Sequence, residues 1–214
     1  MTGEVRPRGP SAPRTGMALV GLACVATAAA WITTSGGRCW TSEALRRARI
    51  QATPPVLSPL DLRSSTGQVL RPWGGDGAAA RAYLVVFIYT SCPTLCSTAG
   101  AGFTALQRDL DADGDAIELL SVSFDPRRDD SLALRTYAEH HGADSSHWLV
   151  AAPTSEPALE KLLGEAGVVV IGDGRGGYAH NSGIHVVLGD GRLVGVFDLA
   201  QGQEALECAR RWVS

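Results

Sequence analysis

The sequence predicts an α/β domain with a central, mostly parallel sheet, helices on both faces and a C-terminal antiparallel hairpin. Three observations predict it. Residues 83–89, YLVVFIY, form an apolar run rich in aromatic and β-branched side chains, as a strand buried on both faces requires. Strand-like and helix-like segments then alternate as far as residue 166, the order from which parallel sheets are built. Near the C-terminus, Gly189-Asp190-Gly191 separates two short β-branched runs, a strong hairpin signal.

A chain of 214 residues, 45% apolar and 19% charged, suits one folded unit behind an N-terminal extension. Its formal net charge of −3 is unevenly spread, because residues 1–16 carry Arg6, Arg8 and Arg14 against Glu4, which leaves −5 for the remainder. That balance gives no sign of a polyanion-binding surface, so nucleic acid is not an expected partner.

The extension divides by composition. Residues 1–16, with arginines interleaved among Pro7, Pro10 and Pro13, read as a cytoplasmic basic segment. Residues 17–37 carry no charge and reach the ~20 residues a bilayer-spanning helix needs, although Ala, Gly and Thr dominate them. Positive charge ahead of this stretch puts the N-terminus in the cytoplasm and the rest of the chain outside. A cleaved signal sequence competes with a retained anchor, since Ala28 and Ala30 form a small-residue pair of the kind a signal peptidase accepts. A lipid on Cys24 fits less well, Gly21 being a poor residue three positions ahead of it. Residues 38–55 are a juxtamembrane linker, with a short helix over 41–49 ended by Pro54 and Pro55.

The domain proper is predicted to run over 56–214. Weak alternation around Gly67 gives a short hairpin over 57–70, and 72–80 is a Gly-rich loop. After the buried strand, a helical pattern runs through Leu95, Phe103, Leu106 and Leu110, with Pro93 suited to a first helical position. A strand over 117–124, a turn at Asp125-Pro126, a helix over 131–141, a strand over 147–150 and a helix over 156–166 follow. Residues 168–171 end a strand, 172–177 make a flexible loop, strands 184–188 and 193–197 flank the hairpin turn, and 201–213 form a closing helix.

Five cysteines are too few for a disulfide-stapled miniprotein and too scattered for a zinc ribbon, but Cys92 and Cys96 lie four apart where the central strand gives way to a helix. Positions i and i+4 share a helix face, so the two sulfurs can meet on one ion or on each other. The helix N-terminus favours thiolate over thiol, and soft thiolates are preferred ligands of Cu(I). In an oxidising compartment the same pair can also close as a disulfide.

The run FIYTSCPTLC at 87–96 resembles the signature of the Sco/SenC family. SVSFDPRRD at 121–129 and HNSGIHVVLGDG at 180–191 extend the resemblance over about 56–213. The resemblance implies a thioredoxin-like fold anchored in a membrane, a copper-handling role in cytochrome c oxidase assembly, and Cys92, Cys96 and His180 as the ligands of Cu(I), with Cu(II) a further candidate. It implies a metallochaperone more than an enzyme, with the copper-bearing subunit of the oxidase as partner, and other copper carriers or thiol oxidoreductases as further partners. The alternatives are a thiol-disulfide oxidoreductase, with Cys92 and Cys96 as its redox-active pair, and a redox or copper sensor. Three positions depart from the family pattern: Ala179 stands where Asp usually precedes the histidine, Ser97 where Pro usually follows the second cysteine, and the hairpin reads Gly-Asp-Gly.

The remaining residues have plainer readings. His140 and His141 suit a helix C-terminus as cations, His147 a turn, and Cys208 a small buried hydrophobe. His185 is placed to approach the site from the final strands, Cys39 to form an intermolecular disulfide, and Asp125 and Asp129 to shape an Asx-type turn.

Overall fold

The structure is a computed structural model that describes residues 12–33, 36, 41–75, 81–92, 95–113 and 116–213. The chain divides into two units, one ending at Ala48 and the other running from Arg49 to Ser214.

The first unit contains helix α1 (Ala12–Thr33). Along it Met17, Leu19, Val20, Leu22, Val25, Trp31 and Ile32 are exposed. Among the described residues no helix is long and apolar enough to cross a membrane. The expected segment 17–37 runs past α1 into residues 34, 35 and 37, which lie outside the described residues. Arg14 falls inside α1, and the uncharged part after it, residues 15–33, is about 28 Å long, beside a hydrocarbon core of about 30 Å. Helix α2 (Ser42–Ala52) follows, its start marked by the Ala44 N–H donating to Thr41 Oγ1 at 3.0 Å. Arg46 and Arg47 both donate to Glu43 and hold its carboxyl down at about 2.

The second unit is built on one seven-stranded sheet. Its strands are β1 (Leu62–Ser64), β2 (Val69–Leu70), β3 (Ala82–Ile88), β4 (Ile117–Ser123), β5 (Trp148–Pro153), β8 (Ile184–Leu188) and β9 (Leu193–Phe197). Strands β6 (Val170–Gly172) and β7 (Tyr178–His180) pair separately. The sheet order is β2-β1-β5-β4-β3-β8-β9. Its centre, β5-β4-β3, is parallel, and antiparallel ladders extend it on both sides. All seven residues of β3 are buried, so both faces are covered, as the run of apolar residues requires.

The helices are α3 (Leu95–Asp113), α4 (Ser131–His141), α5 (Glu156–Ala166) and α6 (Gly202–Val213). Ala99, Phe103, Leu106 and Leu110 give α3 one buried face at helical spacing, and it packs against α4 and α6. Asp130 caps α4, accepting from the Ala133 N–H at 2.9 Å, and Gly142 ends it in the left-handed region at φ 65°. Ser155 and Gly167 play the same parts for α5. The two buried indoles are answered within the core, Trp148 Nε1 by Ser121 Oγ at 3.0 Å and Trp73 Nε1 by the Ser58 carbonyl at 3.1 Å.

The sheet ends on short edges. Residues 55–57 pair with the turn that leads into β9, where the Leu193 N–H donates to the Pro55 carbonyl at 2.9 Å and the Leu57 N–H to the Gly191 carbonyl at 2.8 Å. At the other rim β2 has two residues.

Most elements lie where the sequence puts them, and three differ. Strand β5 runs on to Pro153 because residues 151–153 pair with β1. Residues 172–177 are a tight turn in place of a flexible loop: Asp173 Oδ1 accepts from the Arg175 and Gly177 N–H groups at 2.7 and 2.9 Å. His180 stands at the end of strand β7, an element the sequence does not predict. Residues 76–80, Pro93 and Cys39 lie outside the described residues.

Candidate metal centre

The sequence singles out Cys92, Cys96 and His180. Strand β3 delivers the first two. Past Ile88 the chain turns, the Cys92 N–H donating back to the Tyr89 carbonyl at 3.1 Å, and Leu95 begins α3. Cys96 is the second residue of that helix; its side chain lies outside the described atoms. Cys92 is half-buried and lines an open groove of about 530 Å³ with Thr90, Asp130, Leu132, Thr136, His140 and His141.

Buried Asp129 fastens this turn. Its carboxylate accepts from the Thr90 N–H at 3.0 Å, from Thr90 Oγ1 at 2.6 Å and from Ser123 Oγ at 2.5 Å. A carboxylate without water is tolerated when several donors reach it, so the acid holds the segment two residues ahead of Cys92. An Asx-type turn explains only part of this, since the bonds to Thr90 span 39 residues.

Strand β7 delivers His180. Its ring is half-buried, edge-on to Phe124 with centroids 4.9 Å apart, and 6.5 Å from Tyr89. Burial lowers its pKa below the ordinary histidine value, so the imidazole is neutral at pH 7. Nδ1 lies 3.4 Å from the Asn181 carbonyl and 3.5 Å from Ser182 Oγ. If Nδ1 carries the proton toward that carbonyl, the lone pair is on Nε2. Nε2 is buried and has no hydrogen-bond partner among the described residues. A buried nitrogen left with its lone pair fits an imidazole ligand. Ala179 is exposed, and the orientation that an acidic neighbour would give the ring comes instead from the Asn181 carbonyl, which sequence patterns do not reveal.

The structure brings His180 to the cysteine helix: a cavity of about 10 Å³ is ringed by His180, Phe87, Ser182 and Ala99, the last three residues beyond Cys96. Cys92 is joined to His180 through Tyr89, whose carbonyl receives the Cys92 N–H and whose ring faces the imidazole. Among the described residues no three His, Cys, Asp or Glu side chains form a ready metal cluster.

The other histidines divide. His185 is buried beneath the site, edge-on to Phe87 at 5.2 Å. His141 is not the cation expected at a helix end. It packs on Tyr137 at 4.5 Å, and burial, with His140 beside it, pushes its pKa down. Cys208 is buried, as expected of a small hydrophobe.

The family model described as SCO1/SenC matches residues 56–213. The chain belongs to the SCO1/SenC family. Within this family, the SCO1 protein homolog of Bacillus subtilis (strain 168) is 27% identical over 114 residues, 52% of this chain and 59% of that protein. The chain thus spans less than two thirds of the length of that curated relative. The SCO1/SenC family lipoprotein from Bacillus anthracis str. Ames superposes with a TM-score of 0.67 at 16% identity, covering 76% of this chain and 98% of the other. Bradyrhizobium japonicum ScoI, solved with copper bound, gives 0.58 at 21% identity, covering 73% and 99%. At these identities the structural likeness is one of fold, and it agrees with the thioredoxin-like architecture expected from the sequence.

Proposed function

We propose that this SCO1/SenC domain is a copper metallochaperone, which receives Cu(I) on Cys92, Cys96 and His180 and passes it to the binuclear copper site of a cytochrome c oxidase. The observation that carries the reading is the buried, partnerless Nε2 of a neutral His180 beside the first turns of the cysteine helix. Two thiolates and one imidazole make a soft, three-donor set suited to Cu(I). The N-terminus of α3 favours the thiolate forms, and the open groove beside Cys92 gives an incoming thiolate room to exchange with it. Strands β6 and β7 share no ladder with the main sheet, so the imidazole can withdraw without breaking that sheet. The copper-bound ScoI structure and the family resemblance support the cargo.

The groove also supports a second reading, thiol-disulfide exchange with the cysteines of the oxidase, because Cys92 is open to a partner's sulfur. Anaerobic Cu(I) titration of residues 41–214 separates the two. The expected result is near one equivalent bound, with affinity lowered roughly tenfold or more in Cys92→Ser, Cys96→Ser and His180→Ala. Loss of thiol reductase activity in the serine variants, with His180→Ala unimpaired and no stoichiometric copper, would replace the chaperone with the oxidoreductase.

The same reading puts residues 41–214 outside the cytoplasm at a bacterial inner membrane, with residues 17–37, behind the basic segment 1–16, serving as a retained anchor or a signal.

A further inference from the structure

The turn Asp125–Asp129 touches both halves of the candidate site. On one side Asp129 holds Thr90, two residues ahead of Cys92. On the other, Arg128 pairs with Asp125 and donates from a terminal guanidinium nitrogen to the Gly176 carbonyl at 2.5 Å. Its guanidinium carbon lies 5.2 Å from the centre of the Tyr178 ring, within cation–π range. Tyr178 is two residues ahead of His180, and its ring packs edge-on against Tyr89 at 5.2 Å and Phe124 at 5.4 Å, the rings that also face the imidazole.

The turn is itself braced. The Arg128 and Asp129 N–H groups both donate to the Asp125 carbonyl, at 3.1 and 2.9 Å, and the Asp125 N–H donates to Ser123 Oγ at 3.0 Å. Gly176 sits at φ 92°, and a Cβ there would lie 3.3 Å from the guanidinium of Arg128, so the hairpin tip is shaped around that side chain. An exposed ion pair by itself contributes little. Here one planar group meets a carboxylate, a carbonyl and an aromatic face at once, which fixes a position rather than adding a contact.

We propose that the Asp125–Asp129 turn sets the spacing between the cysteine turn and the imidazole, with Arg128 as the positioning residue for the β6–β7 hairpin and Asp129 for the cysteine turn. The proposal rests on the copper reading for what the spacing serves. The geometry it predicts can be measured without metal.

The test uses the full chain in detergent, as wild type, Arg128→Gln, His180→Ala and the double variant. In the metal-free protein, Arg128→Gln is expected to speed amide exchange over 172–180 by about tenfold while β3 stays as protected as before. Cu(I) affinity should fall about tenfold, and the same substitution should cost nothing further once His180 is alanine. Unchanged exchange over 172–180, or an affinity loss that persists in the His180→Ala background, would overturn the proposal. Wild type that binds no Cu(I) would defeat the copper reading and leave the exchange measurement to decide the positioning role. Asp129→Asn should loosen the 89–92 turn in the same way. If that variant does not fold, the exposed Arg128 variant decides alone.

Discussion

At the scale of single residues, the notable state is an uncharged imidazole. His141 and His180 both have pKa values lowered by burial, so each is harder to protonate in the folded chain than in the unfolded one. As pH falls through about 6.5 the unfolded chain takes up protons first. The stability present above that value is then lost on the way down to the folded pKa. The carboxyls lowered by hydrogen bonds, such as Glu156 with Arg127 and Asp173 with the Arg175 and Gly177 N–H groups, titrate in a more acidic range. Metal-free protein should therefore melt at a lower temperature at pH 5.5 than at pH 7.5, and His141→Gln should flatten that dependence. An equal slope in the variant would assign the effect elsewhere. The residue types at the site were legible from sequence, because two cysteines four apart and a histidine ahead of a hairpin carry their chemistry in their names. The atoms that orient them were not. The Asn181 carbonyl is backbone, and Arg128 reaches across 48 residues to Gly176.

At the scale of elements, α3 is held in place by its neighbour α4. Thr104 Oγ1 donates to the His141 carbonyl at 2.8 Å, Gln107 Nε2 donates to the Gly142 carbonyl at 3.1 Å, and Gly100 lies directly under the His141 ring. A Cβ at Gly100 would sit 2.4 Å from that ring. Gly100→Ala would gain about 1 kcal/mol of helix propensity and lose about 1–3 kcal/mol to crowding, so net destabilisation is expected. In a His141→Ala background the crowding is gone and the same change should stabilise. Denaturant unfolding of the four proteins measures the cycle, and destabilisation in both backgrounds would refute the contact. The bounds of α4 were readable because helix starts and stops are local chemistry. Strand β7 was not, because three half-exposed residues after a Gly-rich stretch show no periodicity, and only the Asp173 turn folds them back on β6. The pairing of β1 with β5 was hidden for the same reason: nothing within either strand names its neighbour.

At the scale of the whole molecule, the order of elements and both short hairpins were legible, and where the hairpins join the sheet was not, since β1 with β5 and β8 with β3 are distant pairings. The charge division between residues 1–16 and the remainder belongs to this scale too. Alkaline phosphatase joined after Ser214 should be active in cells, as the enzyme is only outside the cytoplasm; an inactive fusion would put the domain inside. The finished rims of the sheet have a consequence for company. With residues 55–57 paired to the entry of β9 and a two-residue strand at the opposite margin, a second chain finds only short lengths of edge to zip onto. Such a domain offers foreign polypeptides its loops more than its strands.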